Sequence, residues 1–283
     1  MNIMAETAEK IKNGFIVVDK PANLNSHEVS AYIGKWLNIK AGHAGTLDPD
    51  VTGLLIVGLG KATRMLRFLA EQEKEYICLM KLNKEKTREE IERMFKAYER
   101  DIWQTPPEKS AVAKKPRKRK VYNLKLIEIH DKLVLFKALV EKGTYMRVLC
   151  KQMNGEMLDL RRISSACINE KYAFIMQKIK HAIDNYRGGN AEELHEIIKS
   201  PEEIFSLSCI QKIYVNERAA QNILKGAPLY APGIIWEKTE EKGKIKNGYA
   251  AVFSGDRLIA IMNVINENAR KKGVVAKIER LNI

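Results

Sequence analysis

The stretch GHAGTLDPDVTG, residues 42–53, concentrates three glycines, a histidine, two aspartates and a proline in twelve positions. Gly42, Gly45 and Gly53 permit positive φ and close approach of a neighbouring backbone. Asp48-Pro49 favours a turn. Two readings fit. In one, Asp48 bonds its own backbone in an Asx turn. In the other, the turn presents a carboxylate at the mouth of a sheet, between a helix and a strand, where a large ligand reaches it. Asp50 reads as a solvated turn residue. A second chemical feature is KKPRKRK, residues 114–120, six cations around one proline. Lys114, Lys115, Arg117, Lys118, Arg119 and Lys120 could track RNA phosphates and add salt-dependent affinity. The plainer readings are a localisation signal or a linker, and the two strands expected just after it argue against a long linker.

The whole chain has the same bias. Lys and Arg outnumber Asp and Glu by 49 to 35 in 283 residues, a net charge of +14, with a pI near 9.5. A balance this basic implies a polyanionic partner, usually nucleic acid. The four cysteines, Cys78, Cys150, Cys167 and Cys209, form no C-x-x-C pair, and the five histidines are scattered. A zinc site and a disulfide framework are therefore not expected. MNIMAETAEKIKNG lacks an apolar signal-peptide core, and no run reaches the length of a membrane span. The expectation is a soluble, cytoplasmic protein with no membrane association.

The elements that must hold these residues follow from periodicity. GFIVVDKP (14–21) reads as a buried strand closed by Pro21. In NSHEVSAYIGKWLNI, Val29, Tyr32, Ile33, Trp36 and Leu37 share one helical face, and Asn25 or Ser26 caps its start. The glycine-rich turn leads from that helix into LLIVGLG, a second strand. KATRMLRFL suggests a short helix and KEYICLMKL (74–82) a strand. TREEIERMFKAYER (87–100) is a helix opened by a Thr87/Glu90 capping box. VYNLKLIEI and KLVLFKALV pair as strands around His130-Asp131, and GTYMRVLCKQM starts a helix. Residues 165–205 read as mostly helical. Beyond Cys209 a helix and short strands, with a hairpin at Ser254-Gly255-Asp256, suggest a small second module. Composition and periodicity alone give an α+β protein with a small β module.

The motifs add a family. GHAGTLDPDVTGLLIVGLGKAT resembles the segment around the catalytic aspartate of the TruB and dyskerin family of pseudouridine synthases. DKPANLNSHEV resembles the family's Lys-Pro motif, KEYICLMKL its tyrosine segment and QTPPEKSAV its Q-x-P-P-x-x-S-A segment. GTYMRVLC resembles its G-T-Y-I-R motif and LRRISS its L-R-R motif. KGAPLYAPGI with the strands after it resembles a PUA domain, a small RNA-binding β-barrel. The short basic segment after the S-A motif is most like the archaeal catalytic subunit of box H/ACA ribonucleoproteins. The chain departs from that pattern in two places, a short N-terminal extension and a short stretch between Arg147 and Arg161.

The resemblance implies a mixed, largely antiparallel α/β catalytic domain over residues 12–205, after a segment 1–11, and a PUA barrel over 206–283. It implies isomerisation of uridine to pseudouridine in RNA without metal or cofactor. Asp48 would be the catalytic carboxylate and Arg147 its pairing arginine. Tyr76 would stack on the flipped uracil, His43 would touch RNA nearby, and Lys20 would support the motif or contact backbone near the site. Partners would be a guide RNA, an rRNA or tRNA substrate and the small H/ACA proteins. Two other functions fit the same residues: a stand-alone synthase for the tRNA T-loop, and a catalytically silent RNA-binding scaffold.

Overall fold

The computed structural model describes residues 2–106, 113–239, 245–266 and 273–278. The QTPPEKSAV motif beyond Pro106, and the residues after Ile278, lie outside the described residues.

The larger sheet has ten strands and is mixed. They are β1 (Phe15–Lys20), β2 (Ala41–Ala44), β3 (Thr52–Leu59), β4 (Lys74–Leu82), β5 (Asp101–Gln104), β6 (Arg117–His130), β7 (Leu133–Val140), β8 (Gly155–Ser165), β9 (Ile168–Asn169) and β10 (Phe174–Ile175). Eight run in the order β10-β1-β3-β8-β4-β7-β6-β5, with β2 added on β3 and β9 on β8. The β1/β10 and β3/β8 pairs are parallel; the other pairs are antiparallel. The expected mixed, largely antiparallel sheet is therefore present.

The helices in chain order are α1 (Ile3–Asn13), α2 (Ser26–Leu37), α3 (Leu66–Ala70), α4 (Arg88–Tyr98), α5 (Met146–Gln152), α6 (Met176–Arg187), α7 (Glu192–Ile197), α8 (Pro201–Leu207) and α9 (Glu217–Leu224). The last of them, α9, packs on a second, smaller sheet. β3 shows why its sequence is apolar throughout. Leu55, Val57 and Leu59 pack with Val29 and Ile33 of α2 and with α6, while Leu54 and Ile56 face α3, α8 and the second sheet. A strand buried on both faces has no polar alternation. α2 opens with a capping box in which Asn25 accepts from the Glu28 N–H, so Asn25 is the cap and Ser26 is released for another task. The expected Thr87/Glu90 box of α4 is also present, and it aims Ile91 and Phe95 into the core around Phe136. Each such side chain contributes about 1.5–3 kcal/mol by leaving water.

The second sheet has five strands: β11 (Gln211–Tyr214), β12 (Leu229–Tyr230), β13 (Gly248–Ser254), β14 (Arg257–Val264) and β15 (Val274–Ile278). Phe253, Leu258 and Ile261 from it share a core with Phe15, Phe68 and Phe205, so the two sheets are joined by packing. No helix among the described residues is long and apolar enough to cross a membrane.

Three elements differ from expectation. The N-terminal residues form α1, capped by the Asn2 side chain. GEMLDLRRISS is β8, a strand in the middle of the sheet. The KKPRKRK run is only in part a loop: Arg117 to Lys120 open β6 and pair with β5.

Candidate active site

The glycine-rich stretch threads from β2 to β3 around an exposed turn. The turn is closed by backbone alone, from the Val51 N–H to the Asp48 carbonyl at 3.1 Å. The Asp48 carboxylate is thus free of the turn and 67% exposed. Two of the three glycines use the left-handed region, Gly45 at φ 74° and Gly53 at φ 103°, and Gly42 does not. Gly53 is also a close approach. A Cβ there would sit 2.2 Å from the Arg162 carbonyl oxygen of β8.

The loop is gripped on several sides. Ser26, at the start of α2, accepts from the Leu47 N–H at 2.8 Å and donates to the Leu47 carbonyl at 3.1 Å. Lys20 is fully buried at the end of β1. Its ammonium donates to the carbonyls of Pro21, Leu24 and Pro49 at 2.8, 2.6 and 3.0 Å. Asn23 N–H also reaches the Pro49 carbonyl, at 2.9 Å. Lys20 therefore holds the loop and does not face a ligand. Burial pushes its pKa down, against the opposing pull of Asp50.

Arg147 comes from the first turn of α5 and places Nη2 3.9 Å from Asp48 Oδ2, with its side chain 44% exposed. An exposed pair at that distance is worth no more than about 1 kcal/mol. It orients the carboxylate more than it stabilises the fold. The start of α5 is itself fixed by Gln104, which is 2% exposed. Its amide accepts from Tyr145 N–H at 2.9 Å and donates to the Tyr145 carbonyl at 3.2 Å. Gln104 opens the Q-x-P-P motif. Its positioning task was not expected from the sequence.

Tyr76 lies on β4 directly opposite Arg162 of β8, beside a register shift that re-aims it. It shares an apolar cluster with Leu47, Val51, Met146 and Leu160, so the residues flanking Asp48, the base of α5 and the Tyr76 ring meet in one place. His43 on β2 is half-buried, with Nδ1 3.3 Å from Ser30 Oγ and Nε2 3.3 Å from Thr46 Oγ1. Burial, with His27 and Arg162 nearby, lowers its pKa and favours the neutral ring.

Asp48, Arg147, Tyr76, His43 and Lys20 all converge on or beneath this loop. The basic residues 114–120 do not join it directly: Lys114 and Lys115 precede β6, and Arg117 to Lys120 lie in the β5/β6 ribbon. Lys118 pairs with Asp101 at 2.7 Å, and Arg119 donates to the Gly143 carbonyl at 3.2 Å, next to the segment that leads into α5. A groove of about 670 Å³ between α1, α7 and α8, lined by Glu6, Lys10, His195 and Glu203, shares none of the loop residues.

An outward carboxylate stands beside an arginine fork, next to an apolar cluster that holds an aromatic ring. Comparison with known proteins gives this arrangement a family. The family model described as "TruB family pseudouridylate synthase (N terminal domain)" matches residues 35–146. The Probable tRNA pseudouridine synthase B of Methanocaldococcus jannaschii is 38% identical over 282 residues, covering 96% of this chain and 83% of the relative. This chain belongs to the TruB family of pseudouridine synthases. A protein of the same description from Archaeoglobus fulgidus is 37% identical over 287 residues, covering 96% of this chain and 86% of the relative. Among solved structures, a Cbf5-Nop10-Gar1 complex matches with a TM-score of 0.85 and 32% identity over 97% of this chain and 86% of that one. An H/ACA ribonucleoprotein bound to a substrate RNA containing 2′-deoxyuridine matches with a TM-score of 0.83 and 31% identity over 98% of this chain and 87% of that one. As a family member the chain is an isomerase. Its reaction breaks the N1–C1′ bond of a uridine, turns the base and rejoins it through C5.

Proposed function

We propose that Asp48 is the reacting carboxylate of this pseudouridine synthase and that the enzyme works on rRNA within a guide-RNA ribonucleoprotein. The observation that carries the catalytic half is the pairing of an exposed Asp48, on a rigidly held turn, with Arg147 at 3.9 Å. Attack at C1′, addition at C6 and removal of the C2′ proton all need an ionised carboxylate, and the adjacent guanidinium supplies an opposite charge beside it. Tyr76 and Leu160 make the apolar floor on which an extruded uracil stacks. His43 faces the neighbouring nucleotide, and Lys20 acts through the loop. The cations of residues 114–120 track phosphates along the β5/β6 ribbon. Residues 12–205 act as the catalytic domain. Residues 206–283, with α9 and the five-stranded sheet, act as a PUA domain that binds RNA, and the segment 1–11 enters α1.

Guide dependence is supported by likeness, along nearly the whole chain, to structures of H/ACA assemblies. By that likeness, small proteins of the kind seen in those complexes bind here too. A second reading is stand-alone modification of the tRNA T-loop; the name its curated relatives carry mentions tRNA and nothing of the T-loop or of a guide. One assay separates them. Transcripts labelled with tritium at uridine C5 release the label as the new C–C bond forms. Purified chain is incubated with an unmodified tRNA, and with an rRNA fragment plus guide RNA and partner proteins. Release from tRNA by the chain alone would sink strict guide dependence. Release that needs guide and partners supports the ribonucleoprotein reading. Silence in both arms would overturn both.

A further inference from the structure

Arg162 is 1% exposed, and among the described residues its hydrogen-bond partners include no carboxylate. Nε donates to the Leu54 carbonyl at 2.7 Å and Nη2 to the Gly45 carbonyl at 2.9 Å. Tyr76 stands directly opposite it on β4, and the Tyr76 hydroxyl works against the effect of burial on its pKa. A buried guanidinium without an acid is costly, and burial lowers its pKa. Lys74, 5% exposed, adds a second cation alongside. Such a group is a poor choice if stability alone is at stake, and its contacts suggest what it does instead.

Gly45 and Leu54 bracket the loop that carries Asp48. The guanidinium is a rigid planar fork. By bonding both carbonyls it fixes the separation of the loop's two ends, and its place opposite Tyr76 on β4 sets those ends beside the aromatic ring. The backbone of Arg162 adds to the same grip, because Gly53 packs against its carbonyl oxygen in parallel register. Arg161 next to it faces the other way, pairing with Asp19 at 3.0 Å and Glu170 at 2.8 Å. Alternate strand residues point to opposite faces, so the two arginines of one motif have separate tasks.

We propose that Arg162 is a positioning residue for the isomerisation, holding the Asp48 loop and the Tyr76 hydroxyl in one fixed geometry. This rests on the reading of Asp48 and Tyr76 given above. Lysine cannot replace it, since an ammonium is a point charge that cannot span the two carbonyls as a planar fork does.

The test is a double-mutant cycle in the tritium-release assay, in whichever arm gives product. Arg162→Lys should lower kcat by about 10- to 100-fold, the scale of a misplaced reacting group, with KM for RNA within about threefold. Tyr76→Phe should also lower kcat. The double variant should be no more than about twofold worse than the poorer single, because both changes break one interaction. Multiplying effects, or an unchanged kcat in Arg162→Lys, would overturn the proposal. A role confined to folding would lower the active fraction and leave the two changes independent. If Arg162→Lys does not fold, Tyr76→Phe alone still decides. Its hydroxyl belongs to the residue directly opposite the buried guanidinium, so its loss should lower Tm by about 3 °C or more. An unchanged Tm would overturn the proposal. Asp48→Asn runs in parallel. Retained turnover there would sink the reading of the site itself, whereas a dead Asp48→Asn with independent Arg162 and Tyr76 effects would sink only this inference.

Discussion

Lys20, Lys74 and Arg162 lie beneath or beside the Asp48 loop with their charges out of water, at 0, 5 and 1% exposure. Arg117 and Lys118 stand in the β5/β6 ribbon with Lys115 just before it, and the Lys118 side chain is 58% exposed. The residue types are the same and the work differs. A desolvated cation must find acceptors, and in this molecule it finds backbone carbonyls: Pro21, Leu24 and Pro49 for Lys20, Ala70 and Gln72 for Lys74, Gly45 and Leu54 for Arg162. Those bonds have direction, so each cation fixes a piece of chain. An exposed cation contributes a field that falls with salt and depends little on its exact place. Burial turns charge into architecture, and exposure leaves it as attraction.

The contrast yields predictions of decreasing size. Asp48→Asn removes the charge of the proposed reacting carboxylate, and turnover should fall by about a thousandfold or more. RNA affinity, measured by filter binding, should stay within a few-fold, because the ribbon is untouched. Lys20→Met should lower the free energy of unfolding by about 2 kcal/mol, since it strips buried carbonyls of their donor. Urea titration gives that number. A loss below about half a kcal/mol would mean that Lys20 behaves as a surface charge.

Lys74 sharpens the same point through pH. Burial lowers its pKa to about 7 from an ordinary 10.5. Below pH 7 both folded and unfolded chains hold the proton, and the full cost of burying the charge is present. From about pH 7 to 10.5 only the unfolded chain holds it, so stability contributed at this site rises with pH. Unfolding measured at pH 7 and pH 9 should show a rise in the native protein that is smaller in Lys74→Met.

The ribbon should respond differently. Lys115→Gln, Arg117→Gln and Lys118→Gln together should weaken RNA binding and flatten its salt dependence. The log–log slope should change by about 0.7 for each single-strand phosphate left without its cation. At saturating RNA, kcat should not change. A fall in kcat equal to that in affinity would erase the distinction between the two sets. Asp50→Asn is the smallest change and should leave activity within about twofold, since Asp50 is exposed in the turn and a surface substitution of this kind is nearly neutral.

How much of this was legible in the sequence differs by residue. The Asp48 turn was readable because glycine, Asp-Pro and the flanking apolar runs act locally. The helix starts at Asn25 and Thr87 were readable for the same reason. β8 was not. Its register slips against β4 between Leu79 and Met80, which spoils the two-residue period that marks a strand. Once β8 is missed, nothing shows that Arg161 and Arg162 part ways, one to a surface ion pair and the other into the core. α1 was overlooked because its one buried residue is Thr7, and so it lacks the apolar stripe by which a helix is recognised. Lys20 read as a loop or backbone-contacting lysine. Its true setting depends on carbonyls from Pro21, Leu24 and Pro49, which the sequence alone does not bring together. Gln104 is a similar case, since its partner Tyr145 lies on another element.

By itself, then, the sequence determined the turn that presents Asp48, the capped helices around it, the apolar β1 and β3 strands and the basic charge that suits RNA. These follow from interactions within a few residues, or from composition. Only the tertiary structure decided that Arg147 meets Asp48, that Tyr76 stands opposite Arg162, and which cations hold the loop while others face solvent. The reason is physical. Those contacts join segments far apart in the chain, and sheet register and burial select them, so each depends on where the rest of the molecule has already packed.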